Sequence, residues 1–326
     1  MKHASKLAFL AAAGMATAGA QAAEFEVEGT TLTLGGEIVL NYLYEKRDDG
    51  NDDTKFVDDG SKVVIAGERD LGNGITAYAE AEFEFNVLGN NDDVKRDGSV
   101  LGFVGEFGEV AVGASDNVYE DLISDAVDPF ENASFEGADL TNEDSMVTYY
   151  SPDFDGFSFR LQGRHKNRDN QSAKVSLIAA AEYDFGPLAL AAAYDSRGSK
   201  DSSKGSDFKS EDHVLGFSAV ADISERVEVG ARFSQVNNQD GNDQDFTAVV
   251  VSYDYGGGDL YGGAQNFDPK NGSSSSQVAA GINYELADSV MIFAEYGDLD
   301  RQLSNGNVID AGDTDKLGVA GLIYEF

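Results

Sequence analysis

Apolar residues recur at every second position through most of this chain, a period that admits β-strands and little else. In "ITAYAEAEFEFNV" (75–87), Ile75, Ala77, Ala79, Ala81, Phe83, Phe85 and Val87 share one face. Thr76, Tyr78, Glu80, Glu82, Glu84 and Asn86 share the other. The segments "FSFRLQGR" (157–164), "VEVGARFS" (227–234) and "VAAGINYE" (278–285) repeat the pattern. Each strand therefore has one dry face and one polar or ionisable face. Past the first 22 residues, no apolar run approaches the roughly 18 residues of a membrane-spanning helix.

The connections alternate as well. Seven short acidic or glycine turns recur: "DLGNG" (70–74), "EFGE" (106–109), "DFDG" (153–156), "FGP" (185–187), "DISER" (222–226), "GGGD" (256–259) and "LADS" (286–289). Between them lie eight longer polar loops, at 45–60, 88–98, 116–144, 167–173, 196–211, 237–244, 267–275 and 299–314. Fifteen connections imply sixteen strands, near 32–44, 61–69, 75–87, 99–105, 109–115, 145–152, 157–166 and 174–184 in the first half. The second half places them near 188–195, 212–221, 226–236, 245–255, 259–266, 276–285, 289–298 and 315–326.

An even number of strands of about ten residues, joined by alternating short and long connections, predicts an all-β, transmembrane antiparallel β-barrel. In hydrocarbon every backbone donor and acceptor must be paired, and a sheet achieves that only by closing on itself. The dry face then points outward to lipid, and a barrel of this size encloses water. Charged residues such as Glu80, Glu82 and Glu84 are solvated inside. Aromatic pairs at strand ends (Tyr42 and Tyr44, Tyr183 and Phe185, Tyr253 and Tyr255, Tyr324 and Phe326) match the girdles expected at the membrane interfaces. A soluble exported β-protein would show the same alternation, but it predicts neither the paired rhythm of connections nor the girdles.

The first residues, "MKHASKLAFLAAAGMATAGAQA", carry Lys2 and Lys6, an apolar run, and Ala20-Gln21-Ala22. That order predicts a signal peptide over 1–22 and a mature barrel domain over 23–326. The formal net charge is −36, and loss of Lys2 and Lys6 takes it to −38. Such a charge argues against nucleic acid as a partner. There is no cysteine for disulfides, thiolate chemistry or metal binding. Past the signal peptide only His165 and His213 remain of the histidines, and no Gly-x-Ser-x-Gly elbow occurs. No catalytic residue, metal ligand or cofactor is therefore expected. The acid-rich pieces 48–60 and 240–245 lack the full spacing of a calcium loop and read as solvated outer loops. There the acids would meet divalent cations between lipopolysaccharide molecules.

With this layout, the chain resembles the general bacterial porins of the Gram-negative outer membrane. The resemblance rests on "LTLGGEIVLNYLY" (32–44), "SVLGFVGEFGEVAVG" (99–113), "DSMVTYYSPDFDGFSF" (144–159) and the terminal "GLIYEF". It implies a sixteen-stranded homotrimer in contact with outer-membrane lipid and lipopolysaccharide. It also implies a long third loop folded into the lumen, and a C-terminal strand whose Tyr324 and Phe326 address the barrel-assembly machinery. Here that loop is 116–144, with ten acidic residues and no Lys, Arg or His. It also holds Val118, Tyr119, Leu122, Ile123, Val127, Phe130 and Phe135, more apolar surface than a solvated loop needs.

The resemblance makes Asp125, Asp128, Glu131 and Glu136 the candidate constriction carboxylates. The family's basic wall cluster carries over to Glu37, Lys62, Val100 and Asn142, of which Lys62 alone is basic. Glu80, Glu82, Arg160, Arg164 and Arg232 complete the candidate pore wall from their inward parity. Acids on both sides of the passage favour cations. The expected function is a diffusion pore for small hydrophilic solutes and ions with a cation preference. The alternative is a substrate-specific channel for sugar or another nutrient, against which few inward aromatics are expected, Tyr78 being the clearest. One feature fits poorly. The inner face of the last strand (Val319, Gly321, Ile323, Glu325) is more apolar than a wet lumen requires.

Overall fold

The computed structural model describes residues 22–47, 52–89, 94–135, 137–138, 140–141, 143–166, 174–197, 212–238, 241, 243–299 and 314–326. The expected signal peptide lies outside the described residues except for Ala22. The strands of the first half are β1 (Ala23–Val27), β2 (Thr30–Arg47), β3 (Asp52–Asp58), β4 (Lys62–Gly72), β5 (Ile75–Glu84), β6 (Lys95–Gly105), β7 (Gly108–Ala114), β8 (Met146–Tyr150) and β9 (Phe157–Lys166). The second half contributes β10 (Lys174–Asp184), β11 (Leu188–Asp195), β12 (His213–Ser224), β13 (Val227–Asn237) and β14 (Gln244–Asp254). It ends with β15 (Asp259–Pro269), β16 (Ser275–Ala287), β17 (Val290–Asp298) and β18 (Thr314–Glu325).

Every pairing is antiparallel and, apart from β2 with β4 and the closure, joins chain neighbours; β18 closes the ring on β2 from Thr314↔Arg47 to Glu325↔Glu37. Eighteen segments make sixteen staves. β3 and β4 run one after the other beside β2, the first against Leu40–Lys46 and the second against Thr31–Glu37. The break at 59–61 is held by the Asp59 amide donating to the Val39 carbonyl and the Val39 amide donating to Ser61 Oγ, each at 3.0 Å. β1 was not anticipated. It pairs with β2 at Ala23↔Leu34 to Val27↔Thr30, just past the point where Gly36 and Phe326 exchange two hydrogen bonds of 3.0 Å. The opening segment of the described chain thus extends the last stave.

The seven short turns fall where the sequence places them. The expected loop at 45–60 is instead largely strand, because β2 runs on to Arg47 and β3 begins at Asp52. The sequence signal fails there for a physical reason. β3 holds Phe56 and Val57 as its apolar residues, and they are adjacent, so no apolar alternation marks it. Backbone pairing and cross-strand contacts hold it, with Lys55 3.0 Å from Glu45 and Tyr44 Oη donating to Asp52 at 3.0 Å. The loop expected at 267–275 shortens likewise, since β15 reaches Pro269.

Side-chain parity follows the reading above. One set of apolar residues is exposed (Leu161, Leu177, Val249, Ile282, Leu322), forming the lipid-facing surface. Tyr324 belongs to this set and its ring lies 6.0 Å from that of Phe326. The opposite parity carries the polar wall, together with a buried apolar patch.

Candidate functional site

That buried patch is covered by the segment joining β7 to β8. Val118, Tyr119, Leu122 and Ile123 cluster with Ile178 and Ala180 of β10, Ala193 of β11, Val214 of β12, Val236 of β13, Phe246 of β14 and Phe267 of β15. Val127, Phe130, Ala133 and Phe135 cluster with Val250, Tyr261, Phe293, Val319 and Ile323 of β14, β15, β17 and β18. All these wall residues have inward parity, so the clustered residues of segment 116–144 pack against that face from β10 round to β18. The apolar inner face of the last strand is thereby explained: Val319 and Ile323 pack under the segment and are not wetted.

Inward aromatics are correspondingly more numerous than expected. Tyr78 does point inward and is buried, but Tyr261, Phe246, Phe267 and Phe293 share that parity. The last four form part of the floor beneath the segment rather than a track beside water. Phe130 meets Phe135 and Tyr261 edge-on, at centroid distances of 5.5 and 5.3 Å.

Burying each large apolar side chain contributes about 1.5–3 kcal/mol. Ordering each residue costs about 1–2 kcal/mol. Polar fixings therefore decide whether the segment stays down. Glu295 of β17 is the first of these. Its carboxylate accepts the amides of Glu131 at 2.8 Å and of Asn132 and Ala133 at 2.9 Å, and the Tyr261 hydroxyl at 2.8 Å. Asn132 then reaches across to Asp59 and Asn41, at the break between β3 and β4.

Asp195, at the end of β11, is the second fixing. It accepts the Thr141 amide at 2.7 Å, the Thr141 hydroxyl at 2.6 Å, Asn117 Nδ2 at 3.3 Å and the Arg197 amide at 2.7 Å. Asp195→Ala strands these buried donors and should cost roughly 3 kcal/mol of local stability. The expected result is faster hydrogen exchange at the Thr141 and Arg197 amides, with the amides paired between strands unchanged. Equal exchange in the two proteins would contradict this role.

The charged side chains sort around this segment. A single π-helical turn (Glu120–Ser124) and a 3-10 turn (Asp125–Val127) put their apolar residues on the wall, and Glu120, Asp125, Asp128 and Glu131 on the open side. Asp116 is exposed at the root. Of the expected constriction carboxylates, Asp125, Asp128 and Glu131 share this open side, whereas Glu136 lies outside the described residues. On the wall, Lys62 sits 3.5 Å from Glu37 and 3.1 Å from Glu82. Glu80 is buried beside them, and Val100 is buried on the same inward parity. Asn142 lies outside the described residues.

Two of the three arginines differ from an exposed wall position. Arg164 is buried and pairs with Asp144 at the segment's end. Arg232 is buried under the segment, donating to Gln265 at 2.5 Å with Asp128, Asp125 and Glu120 in its field. Arg160 is half-buried, bonds Asp121 at 2.6 Å and lies over the Tyr150 ring at 5.7 Å.

Desolvation against the wall, followed by crowding of like charges, shifts the segment's acids upward. Burial, then the charges of Asp121 and Glu120, pushes Asp125 up to about 7. Burial, then Glu295, pushes Glu131 up to about 7. Burial, then Asp116, does the same for Glu143, also to about 7. Asp121 rises to about 6 by burial, even though Arg160 pulls it down.

Sequence reading missed Asp195, Glu295, Asp116, Glu120 and Asp121. Glu295 is the lone acid of its strand's inward parity, and Asp195 ends an otherwise apolar strand, which is the signal that was available. Among the described residues, no group of three or more His, Asp or Glu side chains is placed to hold a metal ion.

The sequence model of the Gram-negative porin family matches residues 8–302. A monosaccharide porin from Halomonas sp and the major outer membrane protein of Halomonas elongata are each 26% identical over an alignment of 362 residues. These alignments cover 94% of this chain and 98% of each relative. OmpF from Salmonella typhi, solved in complex with daunomycin, superposes with a TM-score of 0.71 at 19% identity, over 93% of this chain and 100% of that one. That likeness bears on fold alone, and the fold is the closed barrel described above. The family match over most of the length, together with this architecture, makes the chain a member of the Gram-negative porin family, a passive channel of the outer membrane.

Proposed function

We propose that the protein is a cation-preferring diffusion pore for small hydrophilic solutes, narrowed by segment 116–144. The observation that carries this reading is a charge imbalance. Lys62, Arg160 and Arg164 each already face a carboxylate, while Asp116, Glu120, Asp125, Asp128 and Glu131 keep exposed side chains on the open side of the segment. A passing cation meets acids from the segment and, on the wall, the Glu37–Lys62–Glu82 group of net negative charge. At about 10 Å of screening length in 0.1 M salt, such charges act across a narrow passage.

The test is the reversal potential of single channels under a KCl gradient. The triple variant Asp125→Asn, Asp128→Asn, Glu131→Gln should lower the K⁺/Cl⁻ permeability ratio by roughly half or more. An anion preference in the unaltered protein rules the reading out. An unchanged ratio in the triple variant removes these residues from the constriction.

A sugar channel is the second reading, favoured by the name of the Halomonas monosaccharide porin. Swelling rates of proteoliposomes in monosaccharides against amino acids of equal size separate the two. A rate ordered by size alone supports the general pore. The same proposal takes the protein as a homotrimer, exported by cleavage after Ala22 and in contact with lipopolysaccharide. In it, Tyr324 and Phe326 present the last strand to the assembly machinery.

A further inference from the structure

The inner wall is interrupted by glycines, and most of them make room for the wall itself. A methyl at Gly102 would strike the Tyr78 ring, at Gly281 the Tyr261 ring, and at Gly321 the Phe293 ring and Asn41. Two others, on the neighbouring strands β12 and β13, face the inner segment instead. A Cβ on Gly230 would lie 1.8 Å from the backbone oxygen of Ala126, in the 3-10 turn. A Cβ on Gly216 would lie 2.4 Å from Tyr119 Oη and 2.7 Å from Ile123 Cγ2, in and beside the π-helical turn. The polar contacts nearby are equally short. Ser218 Oγ donates to the Leu122 carbonyl at 2.5 Å, and Tyr119 Oη bonds Ser234 Oγ at 2.9 Å. The floor under the two turns is thus built from Gly216, Ser218, Gly230 and Ser234, which leaves backbone almost touching backbone.

From this we infer that Gly216 and Gly230 are positioning residues that set how far the segment stands off the wall, and so the width of the passage. The inference rests on the reading that the segment narrows the channel. Its physical content is a lever. Asp125 and Asp128 flank Ala126 and Val127 on the open side, so lifting the 3-10 turn carries both carboxylates toward the opposite wall. Close-packed interiors transmit such a displacement rather than absorb it. At Gly230 the obstacle is a backbone carbonyl, which cannot rotate away as a side chain can. At Gly216 it is a ring and a methyl group, which can yield in part.

The experiment is single-channel conductance in KCl for Gly230→Ala and Gly216→Ala. Gly163→Ala is the control, because a Cβ there points to the lipid side and has nothing nearer than 3.9 Å. Gly230→Ala should lift the turn by roughly 1.5 Å and cut conductance by about half. Gly216→Ala should cut it less, and combining it with Tyr119→Ala should return most of the loss. Gly163→Ala should match the unaltered protein. Conductance at or above the unaltered value in both glycine variants overturns the inference. Should Gly230→Ala fail to assemble, Gly216→Ala and its Tyr119→Ala rescue decide by the same criterion. The triple acid variant distinguishes the failures. If it shifts selectivity while the glycine variants leave conductance unchanged, the positioning role alone is lost. If it leaves selectivity unchanged, the constriction reading falls with it.

Discussion

Glu295→Ala is expected to release the tip of the inner segment while leaving the barrel intact. The carboxylate accepts three consecutive amides, Glu131 to Ala133, and it also takes the Tyr261 hydroxyl. A buried donor left without a partner costs about 1–3 kcal/mol, and bonds to a charged acceptor lie at the upper end. Losing four together should outweigh the apolar packing of the tip. The polar contacts left from the tip to the wall near Phe130 and Phe135 are then those of Asn132 with Asp59 and Asn41, which hold one side chain and not the backbone of the tip. The channel should become wider and noisier, admitting larger neutral sugars in swelling assays. Protease should also cut between 128 and 135 faster than it cuts the unaltered protein there. Glu295→Gln keeps one carbonyl acceptor and should fall between the two. Unaltered noise and unaltered protease resistance in Glu295→Ala would show that apolar packing alone holds the tip.

The second large effect is pH. Asp125, Glu131 and Glu143 titrate near 7 and Asp121 near 6, so the open side of the segment loses negative charge within the range an outer membrane meets. Between pH 8 and pH 5 the cation preference should decline, with its midpoint between about 6 and 7. Protonation of Asp121 also frees the Arg160 charge that it now balances. The stability effect runs the other way. These carboxyls have folded pKa values above the unfolded value of about 4, so the docked segment binds their protons more tightly than a released one does. The contribution of these groups to docking is therefore fully present below about pH 4 and is lost as pH rises through 6 to 7. Acidification from pH 8 to 5 should strengthen that contribution while weakening selectivity. Reversal potentials measured from pH 8 to 5 test this, and the variant Asp125→Asn, Glu131→Gln should flatten the curve. A profile already flat in the unaltered protein would remove these groups from the ion path.

The barrel was legible in the sequence because lipid imposes a strict rule. Every second residue of Ile75–Val87 or Val278–Tyr284 must be apolar, and that rule survives without any knowledge of neighbours. It was illegible where the rule stops applying. Asp52–Asp58 is strand, yet its apolar residues Phe56 and Val57 are adjacent rather than alternating, so pairing with β2 and cross-strand contacts shape it. The seven apolar residues of segment 116–144 correctly signalled a packed segment. Its partners could not be read, because Val319 and Ile323 show no trace of what covers them until the ring is closed. The same limit hid Glu295 and Asp195. Each is one carboxylate among 59 acidic residues, and only three-dimensional proximity separates a fixing point from a solvated charge.

The Glu295 contact joins residues 162–164 positions apart in the chain. Closing so long a span is slow, and it cannot be completed before β17 has taken its place in the ring. The tip of the segment reaches this fixing only once β17 is in place, whereas its root can already rest on β10 to β15. A freshly inserted molecule should therefore pass through a brief, wide-open and poorly discriminating phase before it matures into the narrower conduit.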